Sequence, residues 1–174
     1  MIRYGKIADR DTAKARVRVQ FEEDNLLSPW LAVSVPGTKD DQHYRMPDKD
    51  EHVWCLLDEH SNTGIVGGAI YSDDNAPSAA GEDKQSVTFK DGTKIEYDRA
   101  GHKLTVTVNT TKLTMEQDGF TIERGSESLK KLLSDTLDKI LALTVTTPNG
   151  PSGTPINFAD FTAIKNRIPN LLKG

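Results

Sequence analysis

Short runs of alternating apolar and polar residues, separated by polar turns, make up the first 71 residues of the chain. The clearest run spans residues 14–21 and places its apolar side chains on one face, namely Ala15, Val17, Val19 and Phe21. A period of two is typical of a half-buried antiparallel strand. The same pattern predicts five strands, at residues 2–8, 14–21, 29–35, 52–57 and 64–71.

Five short strands with uneven loops and no convincing helix favour a small closed barrel over residues 1–72. Closing a sheet removes the unpaired edges that an open sheet exposes. A five-stranded barrel of this kind is typical of the OB fold. The run SDDNAPSAAGEDKQ that follows has almost nothing to bury, so we expect a linker at residues 73–85.

Beyond the linker, apolar residues recur at every second position in short strands that begin every seven to nine residues. Turns at Asp91-Gly92, 99–101 and Asp118-Gly119 separate these strands. This pattern predicts a narrow ribbon of strands over residues 86–124. Its predicted inward side chains are Val87, Phe89, Ile95, Tyr97, Leu104, Val106, Val108, Leu113, Met115, Phe120 and Ile122.

So thin a ribbon buries too little apolar surface to offset the conformational entropy that its ordering costs. Single hairpins are marginal in water for the same reason. We therefore expect this segment to complete its core with side chains from other copies of the chain.

The apolar period changes to three and four after Gly125, which predicts an amphipathic helix within residues 126–143. Ser126 or Ser128 can cap its N-terminus. The side chains expected to pack are Leu129, Leu133, Leu137 and Ile140. A second short helix should follow Asn157 and end at Pro169, so residues 125–174 form a C-terminal helical region.

Composition changes this picture little. The chain has 174 residues, of which 36% are hydrophobic and 28% charged, and its mean hydropathy is −0.54. A net charge of −4 argues against a protein whose main task is to bind phosphate backbones. No apolar run approaches a signal peptide or membrane span, so synthesis in the cytoplasm without conventional export is expected.

Candidate chemistry is sparse, and we predict no catalytic residue, no cofactor and no metal site. None of the four histidines lies in a spacing typical of metal sites. Asp58, His60 and Ser61 supply triad residue types, but sequence neighbours do not make a convergent triad. Cys55 should be a buried structural thiol, and Glu22-Glu23 and Asp73-Asp74 solvated loop charges.

Glycines and aromatic residues leave one alternative open. Gly64, Gly67 and Gly68 lack the Lys-Ser/Thr of a phosphate-binding loop and more simply permit close strand contacts. Aromatic side chains on an OB barrel can stack single-stranded bases. The candidates for such a platform are Tyr4, Trp30, Trp54, Tyr44 and Tyr71, although Trp30 is expected in the core.

Several motifs in a distinctive order carry a resemblance to a known family. They are KARVRV at 14–19, SPWL at 28–31, VPG at 35–37, MP at 46–47, EHV at 51–53 and GIVGGAIYS at 64–72. In this order the chain resembles phage baseplate assembly protein V, the central spike of contractile tails, which is related to type VI secretion spike proteins. The resemblance runs from about residue 1 to 122.

The resemblance implies a fold and a set of partners. The implied fold is mainly β: an N-terminal OB barrel, then an intertwined trimeric β-helix stalk over 86–124, with the short C-terminal helices added. Implied partners are two further copies in a homotrimer, baseplate hub proteins that contact the barrel, and the host outer membrane on contraction. The implied location is the tail baseplate of a virion or of a prophage-derived contractile particle.

Two positions depart from the family pattern. Asp50 stands where the family usually has glycine, and the C-terminal 50 residues predict helices in place of a metal-bound tip. Either a separate tip protein caps the assembly or the helices themselves close the trimer.

Three function classes follow. The leading prediction is a non-enzymatic spike that takes part in envelope penetration and binds no nucleic acid. The alternative is an OB nucleic-acid-binding module with an oligomerising tail, which salt-sensitive binding to single-stranded DNA would support. An enzyme, such as a spike-fused cell-wall hydrolase, lacks an insertion long enough for a catalytic domain.

Overall fold

A computed structural model describes residues 1–79 and 81–173, and the chain divides into two compact units at Pro77/Ser78. The fold is mainly β. The predicted linker 73–85 spans this division, but its ends are structured, since Ser72 pairs with Asn75 and a strand begins at Lys84.

The first unit is a closed five-stranded barrel, which confirms the expectation for the N-terminal domain. Its strands lie in the order β1-β2-β3-β5-β4. All neighbouring pairs are antiparallel except β3 and β5. The strands are β1 (Ile2–Asp11), β2 (Arg16–Phe21), β3 (Leu31–Val33), β4 (His52–Leu57) and β5 (Gly64–Ala69).

The barrel interior is filled by one apolar cluster to which every strand contributes. Alternation on β2 buries Val17, Val19 and Phe21, as their spacing predicts. Cys55 is fully buried, and loss of solvent raises the pKa of its thiol to about 11 despite the nearby charge of Arg3. The cluster comprises Ile7, Val17, Val19, Phe21, Leu31, Val53, Cys55, Leu57 and Val66.

Two expectations for the barrel interior were wrong. Ala15 lies in the turn before β2 with a positive φ of 49°, so it is not on the inward face. Trp30 precedes β3 and is 46% exposed, with the Arg18 guanidinium 5.9 Å from its ring centroid. The predicted strand 29–35 is therefore only three residues long, Leu31–Val33, and Leu31 fills the core position.

The second unit contains an open antiparallel sheet in the order β11-β10-β9-β8-β7-β6. Each strand follows its neighbour through a tight turn. At one of these turns Asp91 accepts a hydrogen bond from the Thr93 amide. The strands are β6 (Lys84–Thr88), β7 (Lys94–Asp98), β8 (Lys103–Val108), β9 (Thr111–Glu116), β10 (Gly119–Arg124) and β11 (Glu127–Ser128).

The C-terminal region contains the two expected helices. Helix α1 spans Leu129–Leu141, and its N-cap Ser128 accepts a hydrogen bond from the Lys131 amide through its side chain. A two-strand hairpin, β12 (Thr146–Thr147) with β13 (Gly150–Pro151), follows. Helix α2 spans Phe158–Lys165, and a 3-10 turn at Ile168–Asn170 contains Pro169.

Candidate functional site

The apolar face of the second sheet is the candidate functional surface. Antiparallel pairing aligns Val87 with Ile95, Ile95 with Val106, Val106 with Leu113, and Leu113 with Ile122. A second row runs parallel to it, through Tyr97, Leu104, Met115 and Phe120. Directly opposed side chains are the unit of sheet packing, so these rows form one continuous surface of two ladders.

None of the eleven side chains predicted to face inward is buried in a single chain. Val87 is 55% exposed, Met115 50% and Ile122 41%. Leu104, Val106, Leu113 and Phe120 are half-buried by their neighbours on the sheet. Strand register therefore places nine of the eleven in two rows on one face, and that face is open to solvent in one copy of the chain.

The opposite face of the sheet carries paired charges. Lys94 and Lys84 contact Glu96 at 2.6 and 3.7 Å, and Lys112 lies 3.6 Å from Glu123. The hydrogen bond from Lys94 lowers the pKa of Glu96. This face satisfies its own charges, so it suits contact with water.

Glu116 is the most strongly held carboxylate on that polar face. Lys103 lies 2.8 Å from one oxygen and Lys173 2.6 Å from the other. Hydrogen bonds from Lys103 and then Lys173 lower the pKa of Glu116 to about 2. The second lysine comes from the C-terminal segment, a contact that local sequence patterns do not reveal.

The predicted helix-packing residues are only partly covered. Leu133 is 41% exposed, whereas Leu129, Leu137 and Ile140 are half-buried. No residue of α1 is buried, and α1 packs against α2 and the 3-10 turn. An ion pair between Lys165 and Asp138 links the two helices.

Sequence reasoning missed several polar residues of the barrel. Arg3 is 6% exposed, stacks 4.0 Å from the Phe21 ring and places Nη2 2.6 Å from Asp24 Oδ1, which lowers the pKa of Asp24. Ser28 is buried, accepting a hydrogen bond from the Val19 amide and donating one to the Pro29 carbonyl. The acidic residues Glu23 and Asp24, in the turn after β2, were the sequence feature that could have predicted a partner for Arg3.

Three of the expected loop charges are paired, and one of them is Asp74, which lies 3.1 Å from Lys6. Glu22 Oε1 lies 2.8 Å from His52 Nε2, and Glu23 lies 3.4 Å from Arg3, so neither is simply solvated. His52 also shares a hydrogen bond of 2.8 Å with Ser72 through Nδ1. These contacts fasten the turn after β2 and the segment after β5 to the barrel.

The residue clusters weighed for chemistry take structural positions. The carboxylate of Asp58 accepts a hydrogen bond from the Asn62 amide and closes a loop. Within 1–79 and 81–173, no group of three or more His, Cys, Asp or Glu side chains is placed to hold a metal ion. In the same ranges no helix is both long and apolar enough to cross a membrane.

The candidate stacking aromatics are not all neighbours. Tyr4 and Trp54 are opposed on β1 and β4. Trp30 precedes β3, which is not adjacent to either strand. Gly67 lies against the Trp54 ring, in agreement with the close-contact interpretation of the glycines: a Cβ there would be 2.2 Å from Trp54 Cη2.

Asp50 has a positive φ of 65°, the left-handed region that favours glycine. The departure from the family pattern at this position therefore keeps a glycine-like backbone. The Asp50 amide donates a hydrogen bond of 2.9 Å to the Ile7 carbonyl, which joins this segment to β1.

Comparison with known proteins supports the assignment of the first unit as an OB barrel. The profile of the family described as the type VI secretion system/phage-baseplate injector OB domain matches residues 3–71. No curated protein matches the chain. The match confirms the resemblance to baseplate assembly protein V and supports a structural role in a baseplate. Over residues 3–71, the barrel of this chain is therefore similar to the injector OB domains of type VI secretion systems and phage baseplates.

Proposed function

We propose that three copies of this chain form the central spike below the tail tube of a contractile baseplate. In this arrangement the three sheets bury their apolar faces around a common axis and form the β-helix stalk. The observation that carries the proposal is the solvent-open pair of apolar rows on β6 to β10.

The burial pattern of the second unit supports association. In its described part, Leu172 is the one apolar side chain that is buried. Large exposed apolar patches on soluble proteins mark interaction surfaces. A partner that covers both rows would give the unit the core that one copy lacks, and an identical copy offers a matching apolar surface.

The polar face fits the outside of such a stalk. Its ion pairs join neighbouring strands, as between Lys103 and Glu116 or Lys112 and Glu123. Exposed ion pairs contribute little free energy individually and are compatible with contact with water. The orientation with apolar rows inward and charged rows outward therefore satisfies both faces.

The proposed mechanism is mechanical and needs no catalytic residue. Strand hydrogen bonds and a shared core stiffen the stalk, which transmits axial force to the host outer membrane when the sheath contracts. The barrels bind the baseplate hub proteins above. At the far end, either a separate tip protein or the C-terminal helices close the trimer.

The test compares two adjacent substitutions on opposite faces of β8. Val106 lies in the central apolar row, whereas Thr105 lies between Glu96 and Thr114 on the polar face. Val106→Lys should place three ammonium groups in the proposed core and lower the association constant by on the order of 100-fold or more, because buried unpaired charges cost several kcal/mol. Thr105→Lys places its ammonium group on the polar, outward face and should leave the trimer intact.

Native mass spectrometry and multi-angle light scattering of the full chain give the readout. A trimer for the wild type and Thr105→Lys, with Val106→Lys dissociated, is the expected result. A wild-type chain that remains a folded monomer at micromolar concentration would refute the spike.

A further inference from the structure

The outer surface of the barrel carries an apolar patch that its core does not need. Ile2 on β1 is opposed to Leu56 on β4, and Leu56 is opposed to Ile65 on β5. Beside this row, Tyr4 is opposed to Trp54. These five residues, which we name the barrel patch, occupy outward positions of three adjacent strands.

The barrel patch is exposed and contains no charged side chain. Ile2 is 56% exposed, Tyr4 48%, Leu56 45% and Ile65 41%, and Trp54 is half-buried. The outward positions of β2, in contrast, carry Arg16, Arg18 and Gln20. Depletion of charge at the centre of a patch is the compositional mark of a protein interface.

Gly67 shapes the surface of the barrel patch. Its missing side chain lets the Trp54 ring lie directly on β5, where a Cβ would approach Trp54 Cε2 to 2.6 Å. Gly68 differs, because a Cβ there would make an ordinary van der Waals contact of 3.4 Å with Trp54 Nε1. The ring therefore lies flat across the strands, and a flat apolar surface packs well against another.

We propose that the barrel patch is the contact between barrels of the three copies, so that each patch is covered by the barrels of the other two chains. This inference rests on the trimeric stalk proposed above. It adds an interface between the barrels, whereas the stalk proposal requires contacts only between the sheets of the second unit.

The size of the barrel patch favours a tethered copy over a free partner. Five partly exposed side chains offer on the order of a few hundred Å². A stable complex between free proteins buries about 800 Å² on each partner. The patch is thus too small to hold a free protein by itself but adequate for a contact whose partner is already held nearby.

The connection to the sheet supplies that proximity. Six residues separate Pro77, the last residue of the barrel unit, from Lys84 at the start of β6. Fully extended, this stretch spans about 24 Å, at roughly 3.4 Å per residue. Once three sheets associate, three barrels are confined within such tethers, and the effective concentration reaches the millimolar range.

Alkylation of single cysteines in the full chain tests the contact. Ile2→Cys and Ile65→Cys place thiols on two edges of the barrel patch, and Arg16→Cys places a control thiol on the exposed outer face of β2. The native Cys55 contributes little background because it is buried and its pKa is raised to about 11. A water-soluble maleimide at neutral pH is the probe.

In the trimer, both patch thiols should react on the order of tenfold or more slowly than the control thiol, since reaction then requires local opening. The protection should disappear when Val106→Lys is added to break the stalk. Equal rates at patch and control sites in a verified trimer would overturn this inference while leaving the stalk intact. Protection that persists in the dissociated variant would also overturn it, and a monomeric wild type would refute both proposals.

Discussion

Leu172 pairs with Phe120 in a parallel bridge at the edge of strand β10. The Phe120 amide donates to the Leu171 carbonyl at 3.0 Å, and the Lys173 amide donates to the Phe120 carbonyl at 3.0 Å. Gly119 permits this approach, because a Cβ there would lie 2.9 Å from the Leu171 carbonyl oxygen. The C-terminal segment therefore covers a sheet edge that would otherwise be open to pairing with another chain.

Leu172→Ala should detach this segment, whereas Leu171→Ala should not. Leu172 is 4% exposed and Leu171 58% exposed, so only the first loses a buried side chain. We expect a loss of about 2–3 kcal/mol in the local opening free energy for Leu172→Ala and less than about 0.5 kcal/mol for Leu171→Ala. Hydrogen exchange of the Phe120 amide measures the difference, and equal protection in the two variants would contradict the assignment.

Gly67→Ala should disturb the barrel more than Gly68→Ala. A methyl group added at Gly67 would overlap the Trp54 ring, whereas at Gly68 the nearest side-chain atom is 3.4 Å away. Overpacking of this kind costs about 1–3 kcal/mol. Thermal unfolding followed by tryptophan fluorescence gives the ranking, and a Gly67→Ala variant as stable as Gly68→Ala would mean that the ring is not seated on β5.

Substitutions of Asp50 test its left-handed backbone. Glycine adopts a φ of 65° without strain, whereas alanine pays about 1 kcal/mol for it. Asp50→Gly should therefore unfold at a higher temperature than Asp50→Ala, by a few degrees. Calorimetry of both variants provides the comparison, and coincident transitions would show that this φ is not maintained in solution.

The Glu116 ion pairs should weaken in acid. Because the pKa of Glu116 is lowered from 4.5 to about 2 in the folded chain, its contribution is complete above pH 4.5 and is lost as the pH falls toward 2. Carbon-13 NMR of the Glu116 carboxyl group should show that it titrates well below its ordinary pKa of 4.5. Lys103→Met should raise the pKa of Glu116 more than Lys173→Met, since the Lys103 hydrogen bond is the larger cause, and an unchanged titration in both variants would refute the pairing.

Alternation along single strands was sufficient to predict much of the fold. It identified Val17, Val19 and Phe21 as core, and nine of the eleven side chains that it grouped in the second sheet lie in two rows on one face. The period of three and four after Gly125 identified α1, and Ser128 caps it as expected. These features depend on contacts within a few residues, which a local pattern records.

The predicted burial was wrong or missing for side chains whose position depends on contacts with other segments of the chain. Trp30 is exposed because Leu31 occupies the core and the Arg18 side chain covers one part of the ring. Arg3 is buried because Phe21 and the acidic turn after β2 receive its guanidinium. Neither arrangement follows from the residues adjacent in sequence.

The sequence by itself determined which side chains are apolar, their period and the positions of the turns, because these properties belong to short stretches of chain. The tertiary structure alone decided that Leu172 covers β10, that Lys173 reaches Glu116 and that Ile2, Leu56 and Ile65 meet on the barrel surface. Strand register and chain reversal bring these residues together across long sequence separations. Their free energy depends on packing geometry that no local pattern contains.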